Sequence, residues 1–100
     1  MELIEHRPYN SGGLVSISKV KHGGIIFNEV KLFKSASGYF ASLGDKPLFE
    51  RDGTPIRNEK GRLKYVKIAA FADADTAARF TTKLIELIET RFGPLSGDAA

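Results

Sequence analysis

The chain has 100 residues, 42% of them hydrophobic, with a net charge of +3 and no cysteine. This is one domain's worth of sequence with its own core, and the missing cysteines exclude disulfide frameworks, thiol nucleophiles and thiolate metal sites. No apolar run approaches the roughly 18 residues of a membrane span, and Met1–Pro8 carries early acids instead of a signal peptide's apolar stretch, so a cytoplasmic location is expected.

Residues 1–13 read as a flexible lead-in that ends in the turn cluster Asn10-Ser11-Gly12-Gly13. From Leu14 to Lys21 the chain alternates as a strand, and Gly23-Gly24 suits the positive φ angles of a tight hairpin. Ile25 to Lys34 is a second strand with period two. Ser35 to Gly38 turns into a third short strand, Tyr39 to Leu43. Residues 44–62 form a long polar arm with nine charged residues. A connection of this length is usually functional or mobile, and Asp52-Gly53 between Phe49 and Ile56 also suits a hairpin. Leu63 to Phe71 is the last strand. A helix follows, capped by Asp73 or Asp75 and stopped by Gly93-Pro94. Ala77, Phe80, Leu84, Ile85, Leu87, Ile88 and Phe92 make its apolar arc. Residues 94–100 read as a disordered tail, and no internal repeat is visible.

The expected fold is α+β: an antiparallel sheet of four strands, or five if the arm contributes, with one C-terminal helix packed on one face, in the order β-β-β-β-α. The domain spans 14–93. Ile26, Val30, Leu32, Val66, Ile68 and Ala70 are expected under the helix. Phe27, Lys31, Phe33, Tyr65, Lys67 and Phe71 are expected on the opposite face, with Phe27 and Phe71 at a dimer core, because large apolar patches are rarely left exposed.

The chemistry for catalysis is thin. There is no nucleophile elbow, P-loop or Gly-x-Gly-x-x-Gly. The only histidines, His6 and His22, have no ligand spacing. Asp73 and Asp75 are explained by helix capping without a cation. No enzyme, cofactor, metal or small-molecule substrate is expected. Charge says more. Up to Ala72 there are 12 Lys/Arg against seven Asp/Glu, and beyond it three against five. A basic face backed by an acidic segment suits polyanions. Aromatics interleaved with lysines suit single strands, because bases stack on rings while ammonium groups meet phosphate. The candidate nucleic-acid contacts are Lys31, Phe33, Lys34, Tyr39, Arg51, Arg57, Arg62, Lys64, Tyr65 and Lys67, with Lys19 and Lys21 extending the rim and Lys60 joining Arg51 and Arg57 in an arm that closes over a strand or grips a duplex backbone. Tyr39 and Tyr65 are the stacking candidates that tolerate water best.

The segments Gly24-Ile25-Ile26-Phe27-Asn28-Glu29-Val30-Lys31-Leu32-Phe33, Gly38-Tyr39-Phe40-Ala41-Ser42-Leu43 and Gly61-Arg62-Leu63-Lys64-Tyr65-Val66 resemble the stage V sporulation protein G (SpoVG) family in order and spacing. Leu43-Gly44-Asp45-Lys46 stands where that family has a Met-Pro-Ser-Lys-like segment. The β-β-β-β-α order is similar, more distantly, to the Whirly and transcriptional-coactivator folds. These resemblances imply a small homodimeric or oligomeric, bacterial or phage-type regulator that binds nucleic acid, with Lys31, Arg62 and Lys64 as the basic positions carried over. The alternative expectation is a protein-interaction or dimerisation module without nucleic-acid affinity.

Overall fold

The computed structural model describes residues 1–95, the side chain of Asn10 excepted; most of the expected tail, residues 96–100, lies outside the described residues. The chain forms β1 (Glu2–Ser11), β2 (Leu14–His22), β3 (Ile25–Ser35), β4 (Gly38–Ser42), β5 (Asp45–Pro47), β6 (Tyr65–Lys67) and α1 (Ala74–Phe92). Strands β1 to β4 make one antiparallel sheet in sequence order, and β5 pairs with β6 in a separate ribbon. The α+β class, the four-stranded sheet and the single C-terminal helix are therefore as expected.

The four strands are not the expected four. The segment taken as a lead-in is β1, paired with β2 from Glu2↔Lys21 to Ser11↔Leu14. Its alternation is hidden in the sequence by Glu2, Glu5, Arg7 and Pro8. The segment taken as the last strand shrinks to β6, which pairs with β5 and never joins the main sheet. Val66 and Ile68 are consequently exposed, Ile68 at 66%, and Ala70 is exposed with them.

A β-bulge reassigns the faces. Ser18 pairs with Val30, but two residues later Val20 pairs with Phe27, so β3 carries one extra residue between them. An extra residue flips the side-chain parity of everything before it. Phe27 therefore turns to the helix side with Val30 and Leu32, and Ile26, expected under the helix, is 51% exposed. Phe27 and Phe71, expected on the face opposite the helix, lie on the helix side instead. Both pack on Phe80 of α1, with ring centroids 6.3 and 5.2 Å away.

Asp73 is the N-cap of α1: its Oδ1 accepts from the Thr76 N–H at 2.7 Å, and such a cap contributes about 1 kcal/mol. Gly93, with φ 88°, closes the other end, its N–H donating to the Glu89 carbonyl. Phe80, Leu84 and Ile88 bury against Leu3, Val20, Val30, Leu32 and Ala41, each large side chain contributing about 1.5–3 kcal/mol. The helix also ties both sheet edges. The buried Thr81 hydroxyl accepts from the Ala41 N–H on β4 at 3.1 Å, and the Arg91 guanidinium donates to the Leu3 carbonyl on β1 at 2.6 Å. Unpaired edge groups template unwanted strand pairing, so these contacts and Pro8 blunt both edges.

The polar arm is built. Beyond the β5–β6 ribbon it folds into two hairpins. Leu48 N–H donates to Lys64 O at 2.8 Å, Lys64 N–H to Ile56 O at 2.9 Å, and Ile56 N–H to Leu48 O at 3.0 Å, a closed ring of three backbone hydrogen bonds. These three residues are spaced by eight, a repeat of structure with little repeat of sequence. The hairpin turns are tied by Asp52 Oδ1, which accepts from Thr54 N–H, and by Asn58 Oδ1, which accepts from both Lys60 and Arg62 N–H.

Candidate nucleic-acid interface

The helix covers one face of the main sheet, and register assigns the other. Leu14, Phe33 and Phe40 form one row across β2, β3 and β4. Arg7, Ile17, Lys31 and Ser42 form the next across all four strands. Glu5 and Lys19 pair beyond them. Phe33 and Phe40 lie stacked, centroids 5.2 Å apart and planes at 16°, with Phe40 49% exposed.

The ribbon is fastened beside this face. Asp45 on β5 stands across from Lys67 on β6, and its Oδ1 lies 3.4 Å from Lys31 Nζ on β3. Tyr65 shares the ribbon face of Asp45 and Lys67 by strand alternation, and is 56% exposed. The ribbon that carries Tyr65 and Lys67 is thus tied through Asp45 to Lys31, one row from the Phe33–Phe40 stack. Asp45 is ion-paired with Lys31 at a partly solvated site, and Lys67 stands across the ribbon from it in register.

The other expected contacts are distributed differently. Lys34 and Tyr39 pair with each other, but on the helix side of the sheet, in parity with Leu32 and Ala41; Tyr39 packs against the core and Lys34 Nζ lies 5.5 Å from its ring centroid. They do not belong to the open face. Arg51 is at the first hairpin of the arm. Arg57, Lys60, Arg62 and Lys64 gather around a shallow groove with Asn58 and Glu59, and Arg57 Nη1 is held by the Gly61 carbonyl at 2.9 Å. Residues 45–67 hold seven Lys/Arg against four Asp/Glu, an excess equal to the whole chain's +3. The arm together with β6 thus carries the excess charge, and the sheet face carries the stacked aromatics.

Arg7 and Phe40 were missed in the sequence. Arg7 was hidden by the reading of residues 1–13 as a lead-in. Phe40 is not among the expected contacts, whereas the β3–β4 register puts it directly across from Phe33.

The structure also contains a serine–histidine pair. His6 Nδ1 lies 3.1 Å from Ser18 Oγ. Ser18 is only 2% exposed, and the His6 ring packs on Phe92 with centroids 4.8 Å apart. Burial, reinforced by the Arg91 guanidinium, holds the imidazole pKa below its ordinary value. The pair is a cross-strand contact between β1 and β2 with its serine buried. Asp52 and Asp73 are held below the usual carboxylate range by the Thr54 and Thr76 backbone N–H groups, and both are turn or cap residues. Among the described residues no cluster of three or more metal-ligating side chains occurs, and no helix is long and apolar enough to cross a membrane. Comparison with known protein families, characterised proteins and solved structures returns no match for the chain.

Proposed function

We propose that the protein is a non-enzymatic nucleic-acid-binding protein that takes single strands ahead of duplex and acts as a homodimer or higher oligomer, in the manner of a small cytoplasmic bacterial or phage-type regulator of transcription. The observation that carries this reading is the Phe33–Phe40 stack, with Phe40 exposed, one row from Lys31 on the sheet face opposite the helix, and the basic ribbon fastened there through Asp45. Bases stack on such a platform at about 1–3 kcal/mol each, and the adjoining cations take phosphate. The basic arm extends the phosphate track. Unpaired bases reach a flat ring pair, whereas a duplex hides its base faces, and this favours single strands. The SpoVG and Whirly-like resemblances point the same way.

The test is polarisation of labelled single-stranded and duplex oligonucleotides titrated against salt, with mass from light scattering on the same sample. The expected result is tighter single-strand binding that weakens steeply with salt. Absence of binding at low salt from a folded oligomer overturns the reading. A second reading, a protein-interaction module, is favoured by a separate observation: Ile25, Ile26 and Ile68 are all more than half exposed, and exposed apolar surface of this kind marks interfaces. It is distinguished by self-association or partner binding that is indifferent to salt.

A further inference from the structure

A cavity of about 490 Å³ opens on the helix side of the sheet, at the N-terminal half of α1. Its centre is Phe80, with Phe71, His22 and Phe27 around it at centroid distances of 5.2, 6.0 and 6.3 Å. Leu43 and Met1 complete an apolar wall. The polar groups at its edge are His22, Thr76, Arg79 and Lys83, and no carboxylate lines it. Arg79 and Lys83 stand one helical turn apart and both are exposed, so they present two cations to one mouth. The nearest restraint on them is weak: Lys83 Nζ meets Glu86 Oε2 at 3.7 Å, with both side chains more than half exposed.

We infer that this cavity binds a small amphipathic anion, an alkyl carboxylate whose chain lies among Phe27, Phe71 and Phe80 and whose head meets Arg79 and Lys83. The volume falls within the few hundred Å³ typical of small-ligand sites, which combine apolar walls with a few placed polar groups. An apolar cavity of this kind gains from burying methylenes. A rim with cations and no carboxylate selects for a negative head, and a guanidinium holds a carboxylate through two parallel hydrogen bonds. The inference stands apart from the nucleic-acid reading, because cavity and stacking platform lie on opposite sides of the sheet. It adds a small-molecule ligand where the sequence suggested none.

The experiment is calorimetric titration of the full chain with decanoate, octanoate and decanol, all below their aggregation concentrations. Decanoate is expected to bind saturably at one site per chain, and octanoate more weakly by about fourfold for each methylene removed. Decanol, without the charge, is expected to bind about tenfold more weakly or worse. Combining Arg79→Gln with Lys83→Gln is expected to erase the preference for acid over alcohol; both side chains are exposed, and an unchanged circular-dichroism melt verifies the fold. Ala70→Phe, at an exposed position on the cavity wall, is expected to block acid and alcohol alike. No saturable binding of decanoate overturns the inference. So does an acid preference that survives the double substitution, or undiminished binding to a folded Ala70→Phe chain.

Discussion

Ser16 is fully buried, and its hydroxyl has no hydrogen-bond partner among the described residues. An unpaired buried hydroxyl costs more than a methyl group in the same space. Ser16→Ala is therefore expected to leave stability unchanged or raise it by up to about 1 kcal/mol in urea unfolding; a clear loss of stability would mean the hydroxyl is satisfied. His6 is the opposite case, a polar group with partners, and its fold-held pKa is depressed. The unfolded chain takes the proton near pH 6.5, the folded chain only at lower pH. The neutral ring's contribution is thus complete above about pH 6.5 and is lost as pH falls through the folded value. Unfolding midpoints between pH 7 and 5.5 are expected to fall, and His6→Gln is expected to flatten that slope; an equal slope in both chains would contradict the assignment. Neither Ser16's isolation nor His6's partners were legible in the sequence, because both depend on β1 joining the sheet.

At the scale of elements, α1 was the most legible. Its caps, its stop and its apolar arc are all written locally, in Asp73, Gly93 and the spacing of Phe80, Leu84 and Ile88. Thr81 was not legible, since a threonine inside a helix reads as filler until β4 is beside it. Its hydroxyl occupies the one edge N–H of Ala41 that a neighbouring strand would otherwise pair. Thr81→Val keeps the shape and removes the acceptor, so a loss of about 1–3 kcal/mol is expected, readable as a lower denaturant midpoint with an unchanged m-value. No change in the midpoint would show that the Ala41 N–H finds another partner. The strands were half legible. Alternation located β2, β3 and β4, but the bulge before Val30 reversed the faces of Ile26 and Phe27, and period-two reasoning has no means of counting an inserted residue. The arm's two hairpins were suggested only by Asp52-Gly53, because the closing ring through Leu48, Ile56 and Lys64 is made by backbone groups that carry no side-chain signature.

For the whole molecule, the basic bias of residues 1–72 becomes a division of labour in space. Residues 45–67 hold an excess of cations equal to the net charge, the open sheet face holds the stacked rings, and the Asp45–Lys31 ion pair joins the two. Of the ten expected contacts, Lys31 and Phe33 lie on the open face and Tyr65 and Lys67 on the ribbon tied to it through Asp45, while Lys34 and Tyr39 fall on the far side because strand parity outranks residue type. This separation makes a paired comparison decisive. The measurement is the salt dependence of single-stranded oligonucleotide affinity for the native chain, for Lys31→Gln with Lys67→Gln, and for Lys34→Gln alone. Each phosphate contact removed lowers the log–log salt slope by about 0.7 for a single strand. The open-face pair is expected to lose roughly 1.4 in slope and to bind weakly at all salt concentrations, while Lys34→Gln binds as the native chain does. Loss of binding in Lys34→Gln with the open-face pair unaffected would contradict the assignment of the nucleic-acid site to this face.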